Sequence, residues 1–266
     1  MIDYHIHTNL CKHATGEIHE YIEHAISAGI KELAFTDHIP LPDNFDIAHR
    51  MNLDQLDTYC HWIENLRHNY REIIIKLGIE ADYYEGFEEY TASILEQYDF
   101  DLVIMSIHFV KHWPAGNWIF KYNFPYKDQK EIFEDYLDTM IKGIQTKMFD
   151  ILGHADIIKP PGLSLLDYNH EKVVQALLEL KRHTMAIEIN TSGFRKEVAE
   201  AYPGLDWLPL IKKFDIAVTV GSDAHSPDQV AYQFPQIYSL LEKENIDELV
   251  TFTKREMNVY QLNKFK

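Results

Sequence analysis

Two histidines near the start of the chain are separated by a single residue. They are His5 and His7, in the segment IDYHIH. Because successive side chains of a β-strand point to opposite faces, residues two positions apart share a face, so these two imidazoles can bind one metal ion together. Asp223 and His225 have the same spacing far along the chain. Metal chemistry is therefore the first function that the sequence suggests.

More residues of the metal-ligand type recur between these two pairs. They are Asp37, His38, Glu80, Asp82, His108, His154, Asp156, Glu188 and Asn190. Imidazoles and carboxylates without thiolates favour Zn, Mn, Fe or Co, whereas Mg and Ca prefer shells made of oxygen. So many donors exceed the roughly four to six positions around one ion. The sequence therefore predicts a site with more than one ion.

Each of these residues lies at or near the end of a short apolar run that predicts a β-strand. The runs cover residues 2–7, 32–38, 73–83, 100–110, 149–158, 185–193 and 215–225. Segments with helical spacing separate them, most clearly at 16–29, 52–73, 129–147 and 169–183, and a last helix is predicted over 246–257. This alternation is typical of an α/β protein with a parallel sheet.

The absence of nucleotide-binding motifs favours a closed barrel over an open sheet. The chain contains neither a GxGxxG motif nor a P-loop, so an open nucleotide-binding sheet is not indicated. We expect a (β/α) barrel of seven units, with residues 1–266 forming a single domain. In such barrels the chemistry gathers at the C-terminal ends of the strands. Every predicted strand then delivers a potential metal ligand to the same face.

The composition limits the partners and the location of the protein. The 266 residues include 42 Asp and Glu against 25 Lys and Arg, which gives a net charge of -17. This balance argues against nucleic acid and anionic membranes as partners. The chain has two cysteines, Cys11 and Cys60, and no apolar segment of membrane-spanning length. We expect a cytoplasmic protein without disulfides, and we assign Cys11 to packing rather than to a metal.

Two long irregular segments carry prolines and aromatic residues. They cover residues 39–51 and 111–128, after the second and fourth predicted strands. Long loops at this end of a barrel are typical of active sites. His49 and His112 lie in these loops and stay candidates for the site. The histidines in the predicted helices are expected to be exposed.

Seven motifs occur in an order that resembles the polymerase and histidinol phosphatase (PHP) family. They are HIH, CKHA, TDH, GIE, SIH, GHAD and GSDAH. The segments LCKHATG, NTSGFR and GSDAHSPDQV are most similar to the bacterial histidinol-phosphatase branch, and the resemblance runs from residue 2 to about 235. It implies a distorted seven-stranded barrel that holds three divalent metal ions, with Zn, Fe and Mn as the alternatives.

The resemblance also implies how the ligands divide among the ions. The first ion would take His5, His7, Glu80 and Asp223, the second Glu80, His108 and His154, and the third His13, His38 and His225. Glu80 would bridge the first two ions. Asp3, Asp37 and Asp156 either orient an imidazole or cap a strand end, and the sequence leaves both interpretations open.

The activity that the resemblance implies is hydrolysis of a small phosphomonoester, L-histidinol phosphate, in histidine biosynthesis. A hydroxide that bridges two metal ions would attack phosphorus. The expected catalytic residues are Glu80, Asp223, His225 and Arg195, and the expected substrate contacts are Arg195, Arg50 and Lys159. Arginine is favoured because its fork binds phosphate bidentately. Candidates for reading the histidinol group are Glu188, Asn190, Trp113 and Trp118.

Several alternatives remain open at this stage. Another PHP phosphatase, acting on protein phosphotyrosine, differs only in substrate. An exonuclease is disfavoured because the chain has no basic strip. A non-catalytic metal-binding module would need closed coordination rather than a loop-lined mouth. An amidohydrolase barrel also begins with His-x-His, but fits seven strands less well. The sequence leaves a homo-oligomer open.

Overall fold

Seven parallel strands form the centre of the protein. The structure is a computed structural model that describes residues 1–113, 118–121 and 128–262. The strands are β1 (Ile2–Ile6), β2 (Glu32–Phe35), β3 (Ile74–Asp82), β4 (Leu102–Ser106), β5 (Ile151–Leu152), β6 (Ala186–Asn190) and β7 (Val218–Gly221). They are hydrogen-bonded in sequence order, each parallel to the next. All seven predicted strands are confirmed, and each ends earlier than predicted.

The sheet closes through residues that follow β7 rather than through β7 itself. The backbone N–H of His7 donates to the carbonyl of Ala224 at 2.9 Å, and the N–H of Ala224 donates to the carbonyl of His5 at 3.3 Å. Ile6 and Ala224 form the corresponding parallel bridge. The predicted distorted (β/α)7 barrel is therefore confirmed, with its seam at the end where the ligand residues lie.

Helices fill the connections between the strands. They are α1 (Ile18–Ser27), α2 (Leu56–Asn69), α3 (Glu88–Gln97), α4 (Gln129–Gln145), α5 (Leu165–Arg182), α6 (Leu208–Lys213) and α7 (Phe234–Lys243). The four helices predicted between strands are confirmed as α1, α2, α4 and α5. The shorter α3 and α6, and α7 after the last barrel strand, were not predicted. Each spans at most 10 residues.

The predicted last helix over residues 246–257 is wrong. This segment forms an antiparallel hairpin of β8 (Glu248–Thr253) and β9 (Glu256–Gln261). Its turn residues, Lys254 and Arg255, both have positive φ, at 51° and 67°. Two consecutive residues of this kind are typical of a type I′ hairpin turn, which Asn-Gly or Asp-Gly usually announces. The sequence Lys-Arg gives no such signal.

The hairpin covers the N-terminal end of the barrel. The guanidinium of Arg255 donates to both carboxylate oxygens of Asp150, with Nε to Oδ2 at 2.9 Å and Nη2 to Oδ1 at 3.0 Å. Its backbone N–H donates to the carbonyl of Asp101 at 2.8 Å. Asp101 and Asp150 directly precede β4 and β5. The hairpin therefore lies opposite the end that carries the ligand residues.

The location of the protein and its division into domains are predictions that concern the whole chain. No helix among residues 1–113, 118–121 and 128–262 combines the length and the apolarity needed to cross a membrane. The cytoplasmic location stays a prediction, as does the single domain over residues 1–266. Part of the predicted loop 111–128, namely residues 114–117 and 122–127, lies outside the described residues.

We expect Arg255→Ala to lower the free energy of unfolding by about 1–3 kcal/mol, because the largely buried carboxylate of Asp150 loses its charged donors. Urea denaturation followed by circular dichroism measures this loss. Lys254→Ala is the matched control, because Lys254 occupies the same turn with positive φ and an exposed side chain. It should change stability by less than about 0.5 kcal/mol. Equal losses in both variants would contradict a stabilising role for the contact between Arg255 and Asp150.

Candidate metal centre

A single buried carboxylate, that of Glu80 in β3, lies among five imidazoles. Its two oxygens face different groups of histidines, so this side chain divides the centre into two halves. Oε2 lies 2.7 Å from Nδ1 of His38 and 3.5 Å from Nε2 of both His5 and His7, whereas Oε1 lies 2.9 Å from Nε2 of His154 and 3.8 Å from Nε2 of His108.

The remaining predicted ligands complete the cluster on one side. Nε2 of His7 lies 3.4 Å from Oδ1 of Asp223. The ring of His225 stacks on those of His7 and His13, with centroids 4.1 and 4.5 Å apart. His13 reaches the cluster from the loop after β1, and its ring lies 5.5 Å from that of His38. The structure thus brings all nine predicted ligands together.

The polar atoms of this cluster fit divalent metal ions. Nε2 of His5, His7 and His225 are buried, and none has a hydrogen-bond partner among the described residues. Buried polar atoms without partners are costly, so such atoms facing one another indicate a ligand between them. Sets of three ligand atoms that lie within 4.8 Å of one another include His5/His7/Asp223, His5/Glu80/His154 and His7/His38/His225.

Two buried carboxylates orient two of the imidazoles through contacts with Nδ1, the ring nitrogen that faces away from the centre. Oε1 of Glu188 lies 2.8 Å from Nδ1 of His5, and Oδ1 of Asp82 lies 3.0 Å from Nδ1 of His108. In each case the contact at Nδ1 turns Nε2 toward the centre, as partners of metal-binding histidines do. The sequence predicts Glu188 at the mouth of the site, but it is fully buried in β6. Its partner His5 is 183 residues away, so sequence spacing gives no signal for the pair.

The three aspartates left open by the sequence differ in their contacts. Asp3 accepts backbone N–H groups of Ser222 at 2.8 Å and Ala231 at 3.0 Å, so it ties β1 to the segment after β7. Asp156 accepts the N–H of Gly204 at 2.8 Å and binds Lys159. Only Asp37 lies beside a ligand imidazole, 3.5 Å from Nδ1 of His7.

Two of the predicted ligands have a backbone conformation that is unfavourable for non-glycine residues. The φ angles of His154 and Asp223 are 24° and 52°. Such conformations cost about 1–3 kcal/mol each and persist only where surrounding contacts impose them. Here the N–H of His154 donates to Oε2 of Glu188 at 2.9 Å, and Nη2 of Arg195 donates to the carbonyl of Asp223 at 2.9 Å. The strain aims both side chains inward from the strand ends.

Close packing beneath the centre requires a glycine. A Cβ at Gly221 would lie 2.0 Å from Oε1 of Glu188 and 2.5 Å from Cβ of His5. Neither atom can move away from the added Cβ, because Glu188 and His5 contact each other and are buried. Any larger residue at position 221 would displace the carboxylate that orients His5.

Burial and charge push the pKa values of the cluster in opposite directions. Burial would raise the pKa of Glu80, but the imidazoles of His38 and His5 hold it well below its usual range. Burial disfavours charge on His5, but Glu188 and Glu80 outweigh it and raise its pKa well above its usual value. Burial lowers the pKa of His38 to about 3 and that of His225 well below its ordinary value.

A cavity of about 490 Å³ opens above the cluster. Its wall combines predicted ligands, basic groups and aromatic rings. The lining residues are His13, His38, Asp46, His49, Arg50, Glu80, His108, Trp118, Phe120, His154, Ile157, Ser192, Arg195, Lys196, Asp223, His225 and Gln229.

The predicted basic residues differ in their access to this cavity. Arg195 lines it, and its Nη1 is buried without a hydrogen-bond partner in the described part of the chain. Arg50 also lines it, but its guanidinium is bound to Asp46, Asp82 and the carbonyl of Ile39.

Lys159, a predicted substrate contact, is not brought to the cavity. Its Nζ is buried between Asp156 and Glu200, 3.0 Å from an oxygen of each. A buried ammonium needs such partners, which explains why it points away from the mouth. Lys196 lines the cavity instead, with Nζ above the ring of Phe120. The sequence signal that could have indicated Lys196 is its position next to Arg195 in the loop after β6.

Of the two histidines kept open in the long loops, one reaches the cavity. His49 lines it, with Nδ1 2.6 Å from Oδ1 of Asp46 and its ring 5.2 Å from that of Trp118. His112 is exposed and pairs with Asp135. Trp113 is buried and donates to the same aspartate, so it does not face the cavity.

Comparison with known proteins places this geometry in a family. A PHP domain model matches residues 3–192. The chain belongs to the PHP family. A probable histidinol-phosphatase of Deinococcus radiodurans is 34% identical over 97% of this chain and 98% of its own length. The histidinol-phosphatase of Bacillus subtilis is 28% identical over 87% of this chain and 96% of its own length.

A solved PHP-type structure has the same fold. It is the histidinol phosphate phosphatase of Lactococcus lactis, in complex with zinc, L-histidinol and phosphate. Its TM-score to this PHP protein is 0.81 at 23% sequence identity, over 97% of this chain and 98% of the other. The shared barrel agrees with the resemblance that the motifs indicated.

We expect metal loading of this PHP protein to release protons and to weaken as the pH falls. The raised pKa values of His5 and His7 favour their protonated forms in the metal-free protein, and each ring must lose its extra proton before it binds a metal ion. His38 and His225, with lowered values, need not.

Calorimetric zinc titrations in buffers of different ionisation enthalpy, over about pH 6 to 8, count the released protons. The control variant, His19→Gln, changes an exposed histidine of α1 and should leave the count unaltered. Zinc uptake with no proton release and no pH dependence would be the contrary result.

Proposed function

We propose that this protein hydrolyses L-histidinol phosphate to L-histidinol and phosphate, as a metal-dependent phosphomonoesterase of histidine biosynthesis. The observation that carries the proposal is the sharing of Glu80 between two sets of histidines at the floor of a cavity. This cavity is also lined by Arg195, whose Nη1 has no hydrogen-bond partner among the residues that the structure describes. The relative with 34% identity over nearly the full length supports the same activity.

The centre is proposed to hold three divalent ions, with Zn, Fe and Mn as the alternatives. The division of ligands implied by the motifs matches four of the five imidazole contacts of Glu80, since Oε2 faces His5 and His7 and Oε1 faces His154 and His108. His38, which the motifs assign to the third ion, also lies 2.7 Å from Oε2. Bound ions would supply positive charge and an activated water for attack on phosphorus. The acidic chain, at -17, then has a local site for an anion.

The residues of the loop after β6 are proposed to bind the phosphate oxygens. Nη2 of Arg195 donates to the carbonyls of Ser222 and Asp223 at 2.8 and 2.9 Å, which fixes the guanidinium plane. Nη1 is then left to donate to a phosphate oxygen at no further cost in side-chain ordering. Lys196 adds a second positive charge on the same wall.

The aromatic wall is proposed to receive the histidinol group. The rings of His49, Trp118 and Phe120 follow one another, with centroids 5.2 and 5.6 Å apart. A planar imidazole can stack on such a wall. Asp46 lines the same side of the cavity, and its carboxylate would lie near the amine of the substrate. This carboxylate also forms an ion pair with Arg50.

We expect the zinc- or manganese-loaded protein to release phosphate from L-histidinol phosphate with a higher kcat/KM than from phosphotyrosine, because the substrate amine and imidazole meet Asp46 and the aromatic wall. Colorimetric phosphate release measures both reactions. Dialysis against a chelator should abolish the activity, and the metals should restore it. A preference for phosphotyrosine would replace the proposed substrate, and a metal-loaded protein without phosphatase activity would overturn the function.

We expect Arg195→Gln to lower kcat/KM for L-histidinol phosphate by about 10- to 100-fold, which corresponds to one lost charged hydrogen bond. Arg182→Gln is the matched control, because Arg182 is exposed at the end of α5, away from the cavity. It should keep the wild-type rate. Steady-state kinetics measure kcat/KM for both variants, and their metal content is measured in parallel. An unchanged rate in Arg195→Gln with full metal loading would count against the phosphate contact.

A further inference from the structure

Cys11 is fully buried at the edge of the metal centre, although its side chain has no place in the ligand sets described above. It ends a short 3-10 helix, Asn9–Cys11, whose N-terminus is capped by the side chain of Thr8. Lys12 follows with φ at 68°, which turns the chain back on itself. This turn brings Nδ1 of His13 to 2.7 Å from the carbonyl of Cys11. The loop therefore presents Cys11 and His13 to the same point.

The sulfur of Cys11 lies among ligand atoms. Sγ and the nearest ring nitrogens of His13 and His225 all lie within 4.8 Å of one another. Sγ belongs to a second such set with His7 and Asp37. Nε2 of His225 and both ring nitrogens of the fully buried His7 have no hydrogen-bond partner among the described residues. These unpartnered nitrogens indicate a ligand beside the sulfur.

We propose that Cys11 is a thiolate ligand of the ion that His13, His38 and His225 hold. The proposal rests on the proposed function, which assigns these three histidines to one ion. Three imidazoles leave one position of a tetrahedral shell, and Sγ of Cys11 lies within 4.8 Å of the ring nitrogens of two of them, His13 and His225. On binding, the thiol loses its proton to solvent, a metal–sulfur bond forms, and no electrons are transferred.

A thiolate changes the character of this ion relative to the other two. Sulfur is a soft ligand that favours Zn over Mn, so this position should select zinc when the others accept either metal. The thiolate also cancels one positive charge, and it fastens the loop after β1 to β2 and to the segment after β7 through the ion. The assignment of Cys11 to packing, which the sequence favoured, would then be replaced.

X-ray absorption at the zinc edge of the full-length, zinc-loaded wild-type protein tests the proposal directly. We expect a sulfur scatterer at about 2.3 Å from zinc. The cobalt-loaded protein should show a thiolate-to-cobalt charge-transfer band in the near ultraviolet. Both signals should vanish in Cys11→Ser and persist in Cys60→Ser, the matched control, since Cys60 is buried in α2 outside the cluster.

Cys11→Ser should also lose at least about tenfold in affinity for one ion, counted by elemental analysis after dialysis against a chelator. Cys11→Ala serves as a second variant, and the wild-type spectra remain decisive if both variants fail to fold. A wild-type protein that binds its metals and hydrolyses L-histidinol phosphate without a sulfur signal would overturn the role of Cys11 and leave the function intact. A sulfur signal that persists in Cys11→Ser would also overturn it.

Discussion

The burial of Glu80 among imidazoles is the constraint on which the rest of the site depends. A carboxylate that is 1% exposed is tolerated only when opposite charges or metal ions surround it. Parallel strands meet this need, because each one contributes a polar residue to the same end of the barrel. Glu188 and Asp82 hold the imidazoles from outside, and Gly221 leaves the space that Glu188 needs. The centre is therefore built from several strands at once.

The barrel and most of the cluster of candidate ligands could be predicted from the sequence, because they follow from local patterns. The apolar runs predicted all seven strands, and their shared direction placed residues such as His108 and His154 on one face. Both of these residues lie two positions beyond the end of their strands, so the predicted boundaries were too long. His13 could not be found from strand periodicity, because it lies in a loop, and only the motif CKHA indicated it.

What the sequence could not supply are contacts between distant residues. Lys159 looked like a phosphate ligand from its place after GHAD, but Asp156 and Glu200 enclose its ammonium group. Glu188 looked like a substrate contact, yet it meets His5 across the barrel. The hairpin at residues 248–261 was missed for a different reason, since its turn uses two non-glycine residues with positive φ. For Lys159 and Glu188 the deciding partner is set by tertiary structure.

The hairpin at the opposite end of the barrel has a consequence for how this protein can change. Arg255 ties it to the segments that precede β4 and β5, whereas the metal centre and its cavity lie beyond the other ends of the strands. The stability of the fold and the chemistry of the site therefore depend on residues that do not contact one another. The free-energy effects of changes at such distant sites tend to add. Evolution or engineering can adjust the heat resistance of the barrel through the hairpin while the chemistry at the mouth stays as it is.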